Sequence, residues 1–129
     1  MIVLDTHAFL WFANGDSSLP VAWKVMMEVR PGEVLVPSIV FWELALLVEK
    51  KRITANDTSP SFWLRLLERS GFQSADLTPE IAVLSRSLQF THEDPADRFI
   101  AATAYVNKVP LATTDERLRQ LDWLECLAI

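Results

Sequence analysis

Cysteine is almost missing from this chain of 129 residues: Cys126 stands alone. A lone cysteine forms no internal disulfide and suits a reducing compartment, so the cytoplasm is the expected location. Neither a CxxC nor an HExxH spacing occurs, which removes the common zinc sites. No apolar stretch reaches the length of a membrane span, because Glu43 and the Lys50-Lys51-Arg52 cluster interrupt the longest one. The run Met1-Ile2-Val3-Leu4-Asp5 has no basic n-region and no cleavage site, so no signal peptide is expected. Internal repeats and low-complexity tracts are lacking too. Basic residues are in deficit, with twelve Lys and Arg against seventeen Asp and Glu, a net charge of −5 and a pI near 4.9. That argues against an ordinary basic nucleic-acid binder, whose affinity comes from phosphate contacts. Bound divalent cations would change that balance if several acids formed one metal site.

What is present fits one globular α/β domain spanning residues 1–129. Hydrophobic residues make up 50% and charged residues 22%, a profile that supports a core and lacks the marks of disorder. Ile2-Val3-Leu4 reads as a short buried strand, followed by a helical turn through Ala8–Phe12 and a turn at Asn14-Gly15-Asp16. Leu19 to Arg30 reads as a helix with Pro20 at its first position, broken by Pro31-Gly32. Glu33 to Val36 is the second strand. A helix to about Lys51 follows, with Ser38 expected as its N-cap. Residues 53–60 form a polar connection. Ser61–Arg69 is a helix ended by Gly71, and Phe72–Ala75 a weak strand. Thr78-Pro79 starts a helix to about Leu88, and Asp94-Pro95 starts another to about Asn107. Val109–Thr113 is a strand, Asp115–Leu121 a short helix, and Trp123–Ile129 a candidate last strand. Strands alternating with helices imply a mostly parallel sheet covered by helices.

Glu43 is the one polar residue between Ile39 and Val48, and no Lys or Arg stands within a helical turn of it. An unpaired carboxylate withdrawn from water normally neutralises, pairs or binds a metal. Other acids sit where they could join it. Asp5 follows the first strand, Asp94 and Asp97 open a helix, and Asp115 follows a late strand. Ligands of open α/β sheets gather beyond the carboxyl ends of the strands, so distant segments can deliver carboxylates to one edge. An oxygen-only set indicates Mg²⁺ or Mn²⁺.

The segments Ile2-Val3-Leu4-Asp5-Thr6-His7, Phe41-Trp42-Glu43, Asp94-Pro95-Ala96-Asp97-Arg98 and Thr113-Thr114-Asp115 together closely resemble the PIN domain. More narrowly, the chain looks like a VapC-type ribonuclease toxin of bacterial type II toxin–antitoxin systems. The resemblance covers essentially the whole chain and implies a three-layer α/β sandwich. It implies metal-binding, catalytic acids at Asp5, Glu43, Asp97 and Asp115, with Thr6 and Thr113 as supporting hydroxyls; Asp94, beside them in sequence, is a further candidate ligand read from its position alone. It also implies Mg²⁺- or Mn²⁺-dependent hydrolysis of RNA leaving a 5′-phosphate and a 3′-hydroxyl, a homodimer, and a VapB-like antitoxin whose C-terminal segment blocks the site. The family's usual histidine corresponds to His92, and an aromatic residue is common where Ala96 stands.

Plainer readings stand beside each assignment. Asp5 and Asp115 can be caps, Asp94 before Pro95 fits an N-cap bonded to the Asp97 N–H, and Asp97 can be a dipole-favoured surface acid. His7 and His92 can be packing groups rather than proton carriers, and Arg98 is expected to pair with Asp94. Lys50-Lys51-Arg52 reads as a solvated helix end, and Cys126 as a buried apolar residue. Trp11, Phe12, Trp23, Trp42 and Trp63 are many aromatics for so small a core, so some should lie on exposed interaction patches. A catalytically inactive PIN fold that binds protein or RNA is the alternative function. Receiver-like and phosphatase-like domains fit less well, since His7 and Thr113-Thr114 stand where those chemistries want an Asp and a Lys.

Overall fold

A computed structural model of the chain describes residues 1–53 and 60–129. The expected polar connection at 53–60 lies almost wholly outside the described residues. Strand β1, Ile2–Leu4, is apolar at every position and buried at every position. Such a strand has both faces covered, which is how a strand in a parallel sheet reads. Helix α1 follows at Thr6–Asn14, then α2 at Val21–Val29 and a 3₁₀ turn at Pro31–Glu33. Strand β2 is Val34–Pro37 and runs into α3, Ser38–Glu49. Helix α4 spans Pro60–Ser70, β3 Gln73–Ala75, α5 Pro79–Ser87 and α6 Pro95–Asn107. Strand β4, Leu111–Ala112, and α7, Glu116–Arg119, complete the described elements.

The four strands form one sheet in the order β3-β2-β1-β4, all parallel. Val3 is opposite Leu35 on one side and Leu111 on the other. The chain therefore moves outward from β1 to β2 and β3, then returns to the opposite side for β4. That reversal places a crevice beyond the carboxyl end of β1, the position where open α/β sheets bind ligands. Phe9 and Ile100 are fully buried in the same core cluster as the strands. Alanines 101 and 104 of α6 are buried with them, small side chains on a helix that packs against α3, α5 and β1.

Several local expectations shift. Ser38 does not cap α3. It is the first helical residue, and its hydroxyl donates to the Ala75 carbonyl at 3.2 Å, tying the start of α3 to the end of β3. Pro20 likewise precedes α2 rather than opening it. The segment Trp123–Ile129 is no strand. It contributes a single bridge between Leu111 and Cys126, and the Trp123 indole donates to the Gln89 carbonyl at 2.8 Å. β4 is shorter than expected, since Pro110 has no N–H for the ladder and the chain beyond Ala112 turns toward the crevice. Cys126 is half-buried, against the expected full burial, and burial raises its thiol pKa. Of the five aromatics singled out above, Trp23 and Trp63 are buried, Trp11 and Phe12 half-buried, and Trp42 is exposed at 51%.

Gly15 closes α1 with φ of 63°, its N–H bonded to the Phe12 carbonyl. A Cβ there would meet nothing within 4 Å, as at Gly32, so only backbone strain separates the two positions. Gly15→Ala should therefore lower stability by roughly 1 kcal/mol in urea unfolding, while Gly32→Ala should be close to neutral.

Candidate active site

Five carboxylates line one cleft of about 350 Å³ at the carboxyl end of β1: Asp5, Glu43, Asp94, Asp97 and Asp115. Thr6, His7, Trp11, Thr114 and Arg117 complete its wall. Asp5 sits there because it ends β1, and its backbone N–H continues the ladder to the Ala112 carbonyl. Its Oδ1 caps α1 by accepting the Ala8 N–H at 2.8 Å. Burial raises its pKa, opposed by hydrogen bonds from Thr113 and Ala8, with Glu43 pushing further upward. Thr113 is wholly buried and lies between two acids: its hydroxyl holds the Asp5 pKa down and accepts the Asp115 N–H at 3.1 Å.

Glu43 is half-buried and accepts a hydrogen bond from the Thr6 hydroxyl. Its pKa is raised chiefly by desolvation, and the charges of Asp97 and Asp94 add to the rise. Asp97 lies in the first turn of α6, its side chain 18% exposed, with Oδ2 2.9 Å from His92 Nε2. Desolvation raises Asp97 as well; Asp94 and Asp115 reinforce the rise and His92 opposes it. Asp94 caps α6 as its sequence suggested, accepting the Asp97 N–H at 3.0 Å, while its side chain also borders the cleft. Of the cleft acids, Asp115 is the one whose pKa is lowered, because it accepts hydrogen bonds from the Arg117 side chain and backbone.

No three His, Cys, Asp or Glu side chains among the described residues close around a single point as placed. The reason is visible in their partners: Asp5 faces Thr113, Glu43 faces Thr6, Asp97 faces His92 and Asp115 faces Arg117. The donor set nonetheless fits a hard divalent cation. It is entirely oxygen, it crowds like charges whose repulsion adds to the rise of Glu43 and Asp97, and no lysine lies among the described residues that line it.

His92 orients Asp97. Its Nδ1 is buried without a protein partner among the described residues, so we assign the ring proton to Nε2, facing the carboxylate. Arg98 departs from the sequence expectation. Instead of pairing with Asp94, its buried guanidinium binds the carbonyls of Ser85, His92 and Arg86, stacks 4.4 Å over Phe90, and approaches Glu93 at 3.5 Å. It fastens the loop carrying His92 rather than facing the cleft. His7 is exposed beside Trp11, ring centroids 5.8 Å apart, at the cleft wall. Arg117 and Trp11 were not singled out as site residues by sequence. Arg117 offered only a charge two positions after Asp115, and Trp11 reads like any core aromatic. Lys50, Lys51 and Arg52 are exposed at the end of α3.

A parallel sheet with carboxylates gathered at its reversal point is the arrangement of a PIN domain. The PIN-domain family model matches residues 2–124, and the chain belongs to that family. Within it, the chain is 33% identical over 119 residues to Ribonuclease VapC22 of Mycobacterium tuberculosis, an alignment covering 92% of this chain and 89% of the relative. Among solved structures, VapBC2 from Rickettsia felis, bound to a DNA fragment from its promoter, superposes with a TM-score of 0.69. It is 16% identical, with 98% of each chain covered. FitAcB from Neisseria gonorrhoeae gives 0.66 at 23% identity, covering 99% of this chain and 97% of that one. At those identities the two structures speak for the shared fold.

Proposed function

We propose that this protein is a metal-dependent endoribonuclease and the toxin of a type II toxin–antitoxin pair, restrained by a VapB-like antitoxin. The observation that carries the reading is the delivery of Asp5, Glu43, Asp97 and Asp115, from four separate elements, to one cleft. The 33% identity to a VapC ribonuclease supports RNA as substrate, and the toxin–antitoxin complexes among its structural neighbours are in keeping with an antitoxin partner. No helix among the described residues is long and apolar enough to cross a membrane, which accords with a cytoplasmic role.

Asp5, Glu43, Asp97 and Asp115 would hold Mg²⁺ or Mn²⁺, with Asp94 at hand in the same wall. When bound, such an ion acidifies a water, offsets charge developing on the phosphoryl oxygens and steadies the leaving 3′ oxygen. The chain's own residues prepare that step. Thr113 and Thr6 fix the orientation of Asp5 and Glu43, and His92 fixes Asp97. The cleft is open to extended, unpaired RNA, whose bases are accessible. Hydrolysis in line with the scissile bond leaves a 5′-phosphate and a 3′-hydroxyl. Exposed apolar side chains at Val21, Val25 and Val29 recur along one face of α2 and offer area for the antitoxin or for a second copy.

The test is cleavage of single-stranded RNA by the purified protein. Activity should need Mg²⁺ or Mn²⁺, stop with EDTA and return when the metal is restored. A folded, metal-supplied protein that binds RNA but leaves it intact would instead support the inactive binding module.

A further inference from the structure

Among the described residues lining the cleft, Arg117 is the one lysine or arginine, against five carboxylates. Its Nη2 lies 2.9 Å from Asp115 Oδ2 and its Nε 3.2 Å from Asp115 Oδ1. The same Nη2 is 3.6 Å from Asp97 Oδ2. One guanidinium thus spans two of the acids assigned to the metal. Unlike Arg98, whose side chain is 7% exposed and tied to backbone carbonyls, the Arg117 side chain is 58% exposed. Exposed ion pairs contribute little to stability and are readily given up. Releasing it also leaves α7 intact. The Arg117 backbone N–H still reaches Asp115 Oδ1 at 2.9 Å, and the Asp115 carbonyl still accepts from Leu118 and Arg119.

We propose that Arg117 is a metal-displaced phosphate clamp: its guanidinium neutralises Asp97 and Asp115 in the metal-free protein, and turns to the RNA backbone once the carboxylates are engaged by metal. The inference rests on the metal-site reading above. A guanidinium and a divalent cation need the same oxygens, and the smaller, doubly charged ion holds them more strongly. The displaced fork stays tethered at the mouth of the cleft, where its planar donors match a phosphate's paired oxygens. In the metal-free protein the same contact reduces the repulsion that would otherwise splay the acids. Apo and loaded states therefore use one side chain for two anions in turn.

Removing a competitor and removing an orienting group have opposite effects on metal affinity, which makes the inference testable without measuring cleavage. In calorimetric titration with Mg²⁺ and no RNA, Arg117→Ala should bind the ion about two- to fivefold more tightly than the wild type, the scale of one exposed ion pair. With metal present, the same variant should show a KM for single-stranded RNA raised about 10- to 100-fold, kcat being little changed, the scale of a lost charged hydrogen bond. Arg117→Lys should recover part of the KM and retain part of the competition. Unchanged or weaker Mg²⁺ binding by Arg117→Ala would overturn the inference, leaving Arg117 as a support for Asp115. So would a wild-type KM in that variant. If the wild type itself takes up no Mg²⁺, the metal-site reading fails first, which is a separate result.

Discussion

Asp97→Asn should cut RNA at least roughly 10³-fold more slowly than the wild type while folding normally, a loss of about 4 kcal/mol in transition-state stabilisation. The substitution is nearly isosteric and keeps an acceptor for His92 Nε2, now 2.9 Å from the carboxylate, so the loop that Arg98 fastens has no reason to move. The charge is lost. Asp97 is largely buried, near Asp94, Asp115 and Glu43, and it is one of the anions that would draw a divalent cation into the cleft. Circular dichroism and thermal melting would establish the fold, and a gel assay with labelled single-stranded RNA the rate. Undiminished cleavage by the folded variant would remove Asp97 from the site.

Glu43→Gln separates stability from activity more sharply. Glu43 has a folded-state pKa above the ordinary glutamate value, first because burial penalises its charge and then because Asp97 and Asp94 repel it. A raised acid stabilises the fold below its unfolded pKa, about 4.3. That contribution is lost as pH rises through the raised value. In EDTA, the wild type therefore carries a destabilising charge at neutral pH that Gln lacks, while the Gln carbonyl still accepts from Thr6. The variant should melt higher than the wild type at pH 7 in EDTA, by a margin that shrinks as pH falls toward 4.3. Added Mg²⁺ should raise the wild-type Tm by mass action and the variant's much less, with cleavage lost. A variant no more stable in EDTA at pH 7, or one that still cuts RNA, would return Glu43 to an ordinary half-buried side chain.

Sequence alone revealed the parts of this fold that depend on local chemistry. The unbroken apolar run of β1 announces a strand covered on both faces, and Asp94-Pro95 announces the start of α6. The four acids stand out because alternating strands and helices return their carboxyl ends to one edge. What failed to show depends on tertiary partners. Ser38 looks like a cap until β3 supplies a carbonyl for its hydroxyl. Arg98 looks like a partner for Asp94 until the end of α5 brings two carbonyls around it and the following loop a third. The tail from Trp123 has strand-like composition, yet it pairs with β4 only at the one bridge between Leu111 and Cys126. Arg117 was legible only as a charge on a short helix, since nothing in its spacing says which way a long side chain turns.

The strand order has a temporal side. β4 pairs directly with β1, so the first carboxylate of the cleft is completed by a segment more than a hundred residues later in the chain. Until β4 arrives, the Asp5 N–H lacks the Ala112 carbonyl, and the acid at position 115 has not been made. Contacts so distant in sequence form late, after long loops have closed. A nascent chain leaving the ribosome thus carries an incomplete set of acids past the RNA that made it. On the proposed function, the cleft would therefore hold its full set of acids only after residue 115 has emerged and β4 has paired with β1.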